Sequence, residues 1–222
     1  MKRSRQSSAA LLFVTLLALS GGLMDAYSYI CREHVFANAQ TGNMLLFGIN
    51  LATGNFSSAL QYLVPVLAFT LGIAAAEIIR NSYGSSKRLH WRQVVLLAEA
   101  VILLAVAFIP RDLNLLANSL TSFACGVQVE SFQKIKERGI TIATTMCIGN
   151  LRSATQAICD YGFTKNKKAL GNGFLYLGII GMFIIGAVIG NFFVSVFGEK
   201  AIIASVVLLL TCFLSMFINK EL

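Results

Sequence analysis

Asp25 is the side chain in this sequence best placed to do chemistry, because it is the only charged residue in an apolar stretch over residues 9–30. An ionised group at membrane depth is costly and usually faces a cavity or a partner. A carboxylate there can bind a cation, take up a proton or orient a solute amine. The plainer reading is a packing hydrogen bond from a Ser or Tyr hydroxyl. Tyr29, one turn on, offers a phenol on the same face. Two Gly-Asn pairs add a second kind of chemistry: Thr41-Gly42-Asn43 opens a short apolar segment over 41–53, and Ile148-Gly149-Asn150 opens another over 148–158. Glycine lets backbone turn and approach a solute closely. Asn, with Thr41, can cap the first free amides of the following helix. The remaining amides, at the positive end of the helix dipole, favour a polar or anionic solute. Gln128 and Glu99 are further polar groups within apolar runs, and Glu99 can join Asp25 in a relay or reach back toward Arg92.

The elements that would carry these groups follow from hydropathy. With 56% hydrophobic residues, 13% charged and a mean hydropathy of +0.72, the chain has too little polar surface for a soluble globule. Long apolar runs cover 9–30, 59–79, 94–110, 113–129, 174–197 and 201–218, and each is long enough to cross a bilayer. The two Gly-Asn segments are shorter and read as half-helices, which mark a cavity because irregular backbone is tolerated in a membrane only when buried or wet. The competing reading of each is a turn and cap before a surface helix. For the second it has some force, since Leu151, Ala154 and Ile158 form an apolar stripe opposite Arg152, Ser153, Gln156 and Asp160. Lys2, Arg3 and Arg5 before the first run resemble a signal peptide with a crude Ala18-Leu19-Ser20 cleavage site, but the run exceeds a usual signal core.

Charge placement decides whether the short segments cross. If both turn back and the N-terminus is cytoplasmic, fourteen of the 18 Lys and Arg lie inside, among them Lys87, Arg88, Lys134, Arg138 and Lys220. Arg32, Arg111 and Lys200 lie outside, and Arg152 lies within the second segment. If both crossed, eight would lie inside and nine outside, so the positive-inside rule selects the first arrangement. The expected fold is an all-α membrane protein: six transmembrane helices plus two re-entrant half-helices, in an inverted 3+3 repeat. One membrane domain over 1–222 would comprise a first repeat at 9–110 and a second at 113–218. The half-helices enter from opposite faces, so their tips can meet. Residue echoes support the duplication, with Gly72, Ala76 and Glu77 spaced as Gly186, Gly190 and Asn191.

The pattern Gly22-x-x-Asp25-Ala26-x-Ser28-Tyr29 followed by Thr41-Gly42-Asn43, with Gly126-x-Gln128, Thr144-Thr145 and Gly149-Asn150 in the second half, resembles the YoaK family of bacterial membrane proteins. The resemblance covers nearly the whole chain. It implies a multi-pass protein of the bacterial inner membrane, with both termini cytoplasmic, and supplies little biochemistry. This chain has Gln128-Val129-Glu130 where similar members carry Gln-Asn-Ala, and Ile148 where they often have Thr.

No G-x-S-x-G elbow, H-E-x-x-H helix, phosphate-binding loop or nucleotide fingerprint is present, so no enzyme and no catalytic residue is expected. Five scattered cysteines without a C-x-x-C pair indicate neither a disulfide framework nor a metal site, and no cofactor is expected. The net charge of +8 reads as cytoplasmic loops rather than a nucleic-acid face. The Glu77–Arg80 and Glu130–Lys134 spacings suit local ion pairs. The expected partners are the bilayer and a small solute, with homo-oligomerisation left open. The expected function is transport of a small polar or anionic solute between the half-helix tips, with Asp25, Tyr29, Thr41, Gly42, Asn43, Gln128, Gly149 and Asn150 on the path. A proton would be a fitting coupling ion. The alternative is a non-transporting membrane scaffold or sensor.

Overall fold

The computed structural model describes residues 2–83, 90–132, 135–137, 140–145 and 147–218. Lys87, Arg88, Lys134, Arg138 and Lys220, counted above as cytoplasmic, lie outside them. Eight α-helices make up almost all of the described chain: α1 (Lys2–Cys31), α2 (Gln40–Ala52), α3 (Phe56–Tyr83), α4 (Trp91–Val106), α5 (Asn114–Phe132), α6 (Cys147–Thr164), α7 (Lys167–Phe197) and α8 (Ile203–Ile218). An unexpected antiparallel ribbon, β1 (Ile135–Glu137) with β2 (Ile140–Ile142), joins α5 to α6. Three stretches are long and apolar enough to cross a bilayer by length and composition: Ala10–Cys31, Phe56–Ser82, and Lys167–Phe217, which runs through α7 and α8.

Among the boundaries that differ from the hydropathy reading, two bear on the packing. The second short segment does not stop near 158 but runs on to Thr164, where Lys165 takes left-handed backbone (φ 55°) and ends it. α7 starts at Lys167 rather than Phe174, because Asn166 caps it by accepting the Lys168 amide at 3.0 Å. Gly171-Asn172-Gly173 is therefore helix rather than loop. Gly173 is needed there, since a Cβ would come within 2.8 Å of Ile158 on α6.

Packing interleaves the sequence halves. α1 lies along α7 and α5 along α3, while α2 rests on α3 and α6 on α7. Two bodies result, α1–α6–α7 and α5–α3–α2, that touch each other only sparingly through α1 and α5. α4 and α8 pack on one another and bridge the bodies, α4 against α5 and α8 against α1. Within each body the long helices cross on glycine. A Cβ on Gly22 would fall 1.9 Å from the Phe183 carbonyl oxygen, and one on Gly186 would fall 2.1 Å from that of Leu19. In the other body the matching figures are 2.1 Å for Gly72 on Phe123 and 2.1 Å for Gly126 on Phe69. Small residues that let backbones meet are the standard device for helix association in lipid.

Polar contacts tie element ends together. Arg32, read above as a cation outside the membrane, is fully buried. Its guanidinium donates to Tyr27 Oη at 2.9 Å, Asn114 Oδ1 at 3.0 Å and the carbonyls of Val106, Ile109 and Pro110 at 2.8–3.3 Å. It thereby closes the carbonyl end of α4, where a cation also meets the negative end of the helix dipole. Glu33 and His34 follow in left-handed backbone (φ 64° and 60°), which turns the chain back toward the protein. Gln61 of α3 and Asn114 of α5 both donate to the Glu33 carboxylate, at 2.8 and 3.0 Å. Glu77 pairs with Arg80 as the spacing predicts, and Arg80 reaches across to Glu130 at 3.4 Å. Arg111 pairs with Glu199, joining the α4–α5 and α7–α8 turns. Glu199's own backbone amide, and then Arg111, hold its carboxyl below the ordinary glutamate range, so this tie persists at neutral pH and loosens on acidification.

Candidate functional site

The chain after His34 dips back alongside α1 before α2 begins, and Asp25 is what receives it. The Asn38 amide donates to Asp25 Oδ1 at 2.6 Å, and the amides of Ala37 and Ala39 also face the carboxylate. Asp25 thus serves as a cap reached from another helix, at the amino end of α2. About six residues from the end of α1, it lies ~9 Å inside that end at the usual rise per residue. The cap position itself, Ala39, has no side-chain hydrogen bond. Thr41 and Asn43 therefore do not cap the helix, because the helix starts one residue earlier than Thr41 and encloses both.

Asn43 has a different task. It is fully buried, and its amide brackets the backbone of Phe36: Oδ1 accepts the Phe36 N–H at 3.0 Å and Nδ2 donates to the Phe36 carbonyl at 2.8 Å. Asn150 does the same seven residues back from itself, accepting from the Ala143 amide at 3.2 Å and donating to the Ala143 carbonyl at 2.6 Å. Each asparagine pins the strand of irregular chain that leads into its helix. The two Gly-Asn motifs are thus alike in geometry as well as in letters. Gly42 makes room for the bracketed residue, since a Cβ there would meet the Phe36 ring at 2.8 Å. Replacing Asn43 by alanine leaves the Phe36 N–H without its acceptor and its carbonyl with only the long 3.5 Å contact from Gln40 Nε2, at ~1–3 kcal/mol for each bond lost. Asn43→Ala should therefore lower the melting midpoint of detergent-purified protein well below that of Thr41→Ala on the exposed neighbouring side chain; equal midpoints would remove the bracket from the account.

A cavity of about 680 Å³ lies between the two helix tips. α1 contributes Asp25, Ala26, Tyr29 and Ile30, the first tip Asn38–Thr41, and the second tip Thr145, Cys147, Ile148 and Gly149. Phe36 is also on the wall, as are Phe69 of α3 and Phe183 of α7. Its walls come from both bodies, so it sits on the surface along which they meet. Tyr29 stacks on Phe36 with centroids 4.9 Å apart. Of the residues singled out by sequence, Asp25, Tyr29, Thr41 and Gly149 line this cavity. Gly42, Asn43 and Asn150 shape the tips from behind. Gln128 is buried on α5, neither amide atom has a partner among the described residues, and it is not on the wall. Glu99 is fully buried on α4 and does not reach Arg92, whose Nε donates instead to the Ser131 carbonyl at 3.2 Å. Sequence reading missed Arg32, Asn38 and the paired Phe69 and Phe183. The phenylalanines could have been found, since each lies three residues before one of the crossing glycines.

The protein-family model described as "Protein of unknown function (DUF1275)" matches residues 13–215. The chain is 27% identical over 165 residues to the UPF0700 transmembrane protein YoaK of Bacillus subtilis (strain 168), covering 70% of each chain. No solved structure matches. These likenesses agree with the apolar helices in making this a helical membrane protein.

Proposed function

The chain belongs to the family of proteins of unknown function DUF1275, and from that premise we propose that it transports a small polar or anionic solute across the bacterial inner membrane, through the cavity between the tips of α2 and α6. The observation that carries this reading is the meeting of two helix amino ends and a carboxylate on one cavity at the boundary of two bodies. Helix amino ends present unpaired N–H groups and a partial positive charge. Asp25 already accepts the amides of the first tip, whereas Val129 stands at its counterpart in the second half, so the α6 tip is the one left to attract a negative group.

Six spans with two re-entrant helices and cytoplasmic termini are part of this reading. α2 has 13 residues, ~20 Å of helix, which is short of a ~30 Å hydrocarbon layer. The polar ties between elements support both turn-backs. If α2 crossed, Glu33 and Gln61 would lie on opposite sides of the membrane, yet they are hydrogen-bonded. If α6 alone crossed, Arg111 and Glu199 would be separated, yet they pair. The matched glycine crossings and the two asparagine brackets support an inverted duplication.

Alternating access in this reading moves α1–α6–α7 against α5–α3–α2. It does not rock residues 9–110 against 113–218, because α3 and α7 are each packed on a helix of the other half. The glycine crossings keep each body stiff while the cavity between them changes. The test is thiol labelling in a background where the partly exposed Cys31, Cys147 and Cys159 are serine. Thr41→Cys and Gly149→Cys should react with a membrane-impermeant maleimide. Full protection of both would overturn the path and favour a non-transporting scaffold.

A further inference from the structure

The bridge between the two bodies holds an acid that the solute path does not use. Glu99 lies ~12 Å along α4 from its start, near mid-helix. It is fully buried, and neither carboxylate oxygen has a hydrogen-bond partner among the described residues. Its neighbours one turn away on α4, Val95, Leu96 and Leu103, are all fully buried and apolar. From the packed helices, the titratable groups facing it are the Cys125 thiol of α5 and the Cys212 thiol of α8. No cationic side chain among the described residues pairs with it.

Asp25 and Glu99 therefore differ in kind. Asp25 is committed to backbone amides, which can hold a charge on its carboxylate. Glu99 has nothing to offset a charge, and an unpaired buried carboxylate is tolerated only as the neutral acid. A hard metal cation would ask for about six oxygen ligands, whereas the titratable groups that face this carboxyl are thiols and its neighbours on α4 are aliphatic. The ligand that fits is the proton. Position gives the proton a consequence, because α4 touches α5 of one body and α8, its partner, touches α1 of the other.

We propose that Glu99 is a proton-binding site on the α4–α8 bridge, neutral while the bridge is closed and ionised when movement of the two bodies admits water, so that protonation selects the closed arrangement. The site stands on its burial and lack of partners, and its coupling to solute movement rests on the transport reading above. A conformer that solvates the carboxylate gains on deprotonation, and by linkage protonation favours the conformer that hides it.

The test has two arms. Infrared titration of the purified protein should show a protonated-carboxyl C=O band at neutral pH that is lost in Glu99→Gln and retained in Asp25→Asn. Glutamine keeps the shape of the side chain and removes the titrating proton, so folded protein is expected. In the second arm, the rate at which Thr41→Cys reacts with the impermeant maleimide, divided at each pH by the rate of free cysteine to remove the thiol's own ionisation, should change with pH, and that residual change should vanish when Glu99→Gln is added while surviving Asp25→Asn. A band that survives Glu99→Gln, or a labelling rate that keeps its pH dependence in that variant after division by the free-cysteine rate, overturns the proposal. The two readings fail separately. A Glu99-dependent band with Thr41→Cys protected at every pH supports the proton site and overturns the solute path. Labelling in a protein whose band ignores Glu99→Gln keeps the path and overturns the site.

Discussion

Gly22→Ala should leave little or no folded protein. The added methyl carbon would stand 1.9 Å from the Phe183 carbonyl oxygen and 2.9 Å from the Ala187 amide nitrogen, both of them backbone atoms of α7. A crowded side chain can change rotamer, but a backbone carbonyl moves only with its helix. Overpacking that side chains absorb costs ~1–3 kcal/mol, and forcing α1 and α7 apart should exceed that, reaching the range of ~4 kcal/mol or more that marks exceptional single substitutions. Separation would also cost the contact all along the α1–α7 crossing. Gly178→Ala and Gly181→Ala on the same α7 have nothing within 4 Å of the new carbon and should melt as the parent does. The measurements are the yield of monodisperse protein in detergent and its melting midpoint. Parent-like values for Gly22→Ala would show that the close crossing is not what holds the body together. Gly72, Gly126 and Gly186 should behave as Gly22 does, because each meets a carbonyl oxygen at 2.1 Å.

Arg32→Ala is expected to be nearly as damaging, for an electrostatic rather than a steric reason. The guanidinium is fully buried and serves five acceptors, including three carbonyls at the end of α4. Alanine would strand the three buried acceptors, Tyr27 Oη, Asn114 Oδ1 and the Val106 carbonyl, each at a cost of ~1–3 kcal/mol, while the Ile109 and Pro110 carbonyls lie nearer the surface. The loss should total about 3–5 kcal/mol, comparable with breaking a buried charged pair. Arg32→Lys should recover less than half of it, since an ammonium cannot reach a fan of acceptors that a planar guanidinium spans. A melting midpoint for Arg32→Lys equal to the parent's would show that charge alone, rather than the fork of donors, closes this end of the protein. The effect should appear in the joint between α1, α4 and α5, so trypsin cutting near Arg111 is a local readout.

How far these positions could be read in advance depended on whether their reason was local. The apolar runs, the short α2 and the Glu77–Arg80 pair follow from residue type and spacing over a few turns. The membrane character follows from composition, since no fold can hide that much apolar surface from water in a chain of this length. The repeated Gly-Asn motif recurs at two helix starts, but its asparagines do not cap them. An asparagine at a helix start looks like a cap, and only the folded chain shows that Asn43 and Asn150 reach back seven residues to hold the backbone leading into their helices.

The remaining features depended on which helices meet. Arg32 looked like an exposed loop cation because Tyr27 is its one acceptor nearby in sequence; the other four lie more than seventy residues away. Asp25 and Glu99 both read as acids in apolar runs, and their different roles come from what packed beside them: backbone amides from the dipping chain for one, thiols and aliphatic side chains for the other. Sequence by itself determined the solvent, the helices and the repeated motifs, because hydropathy and turn chemistry act within a few residues. Tertiary structure alone decided that α3 and α7 would change partners between halves, and which acid would be left without company. Burial and pairing are properties of neighbours brought together from distant parts of the chain, and no local pattern records them.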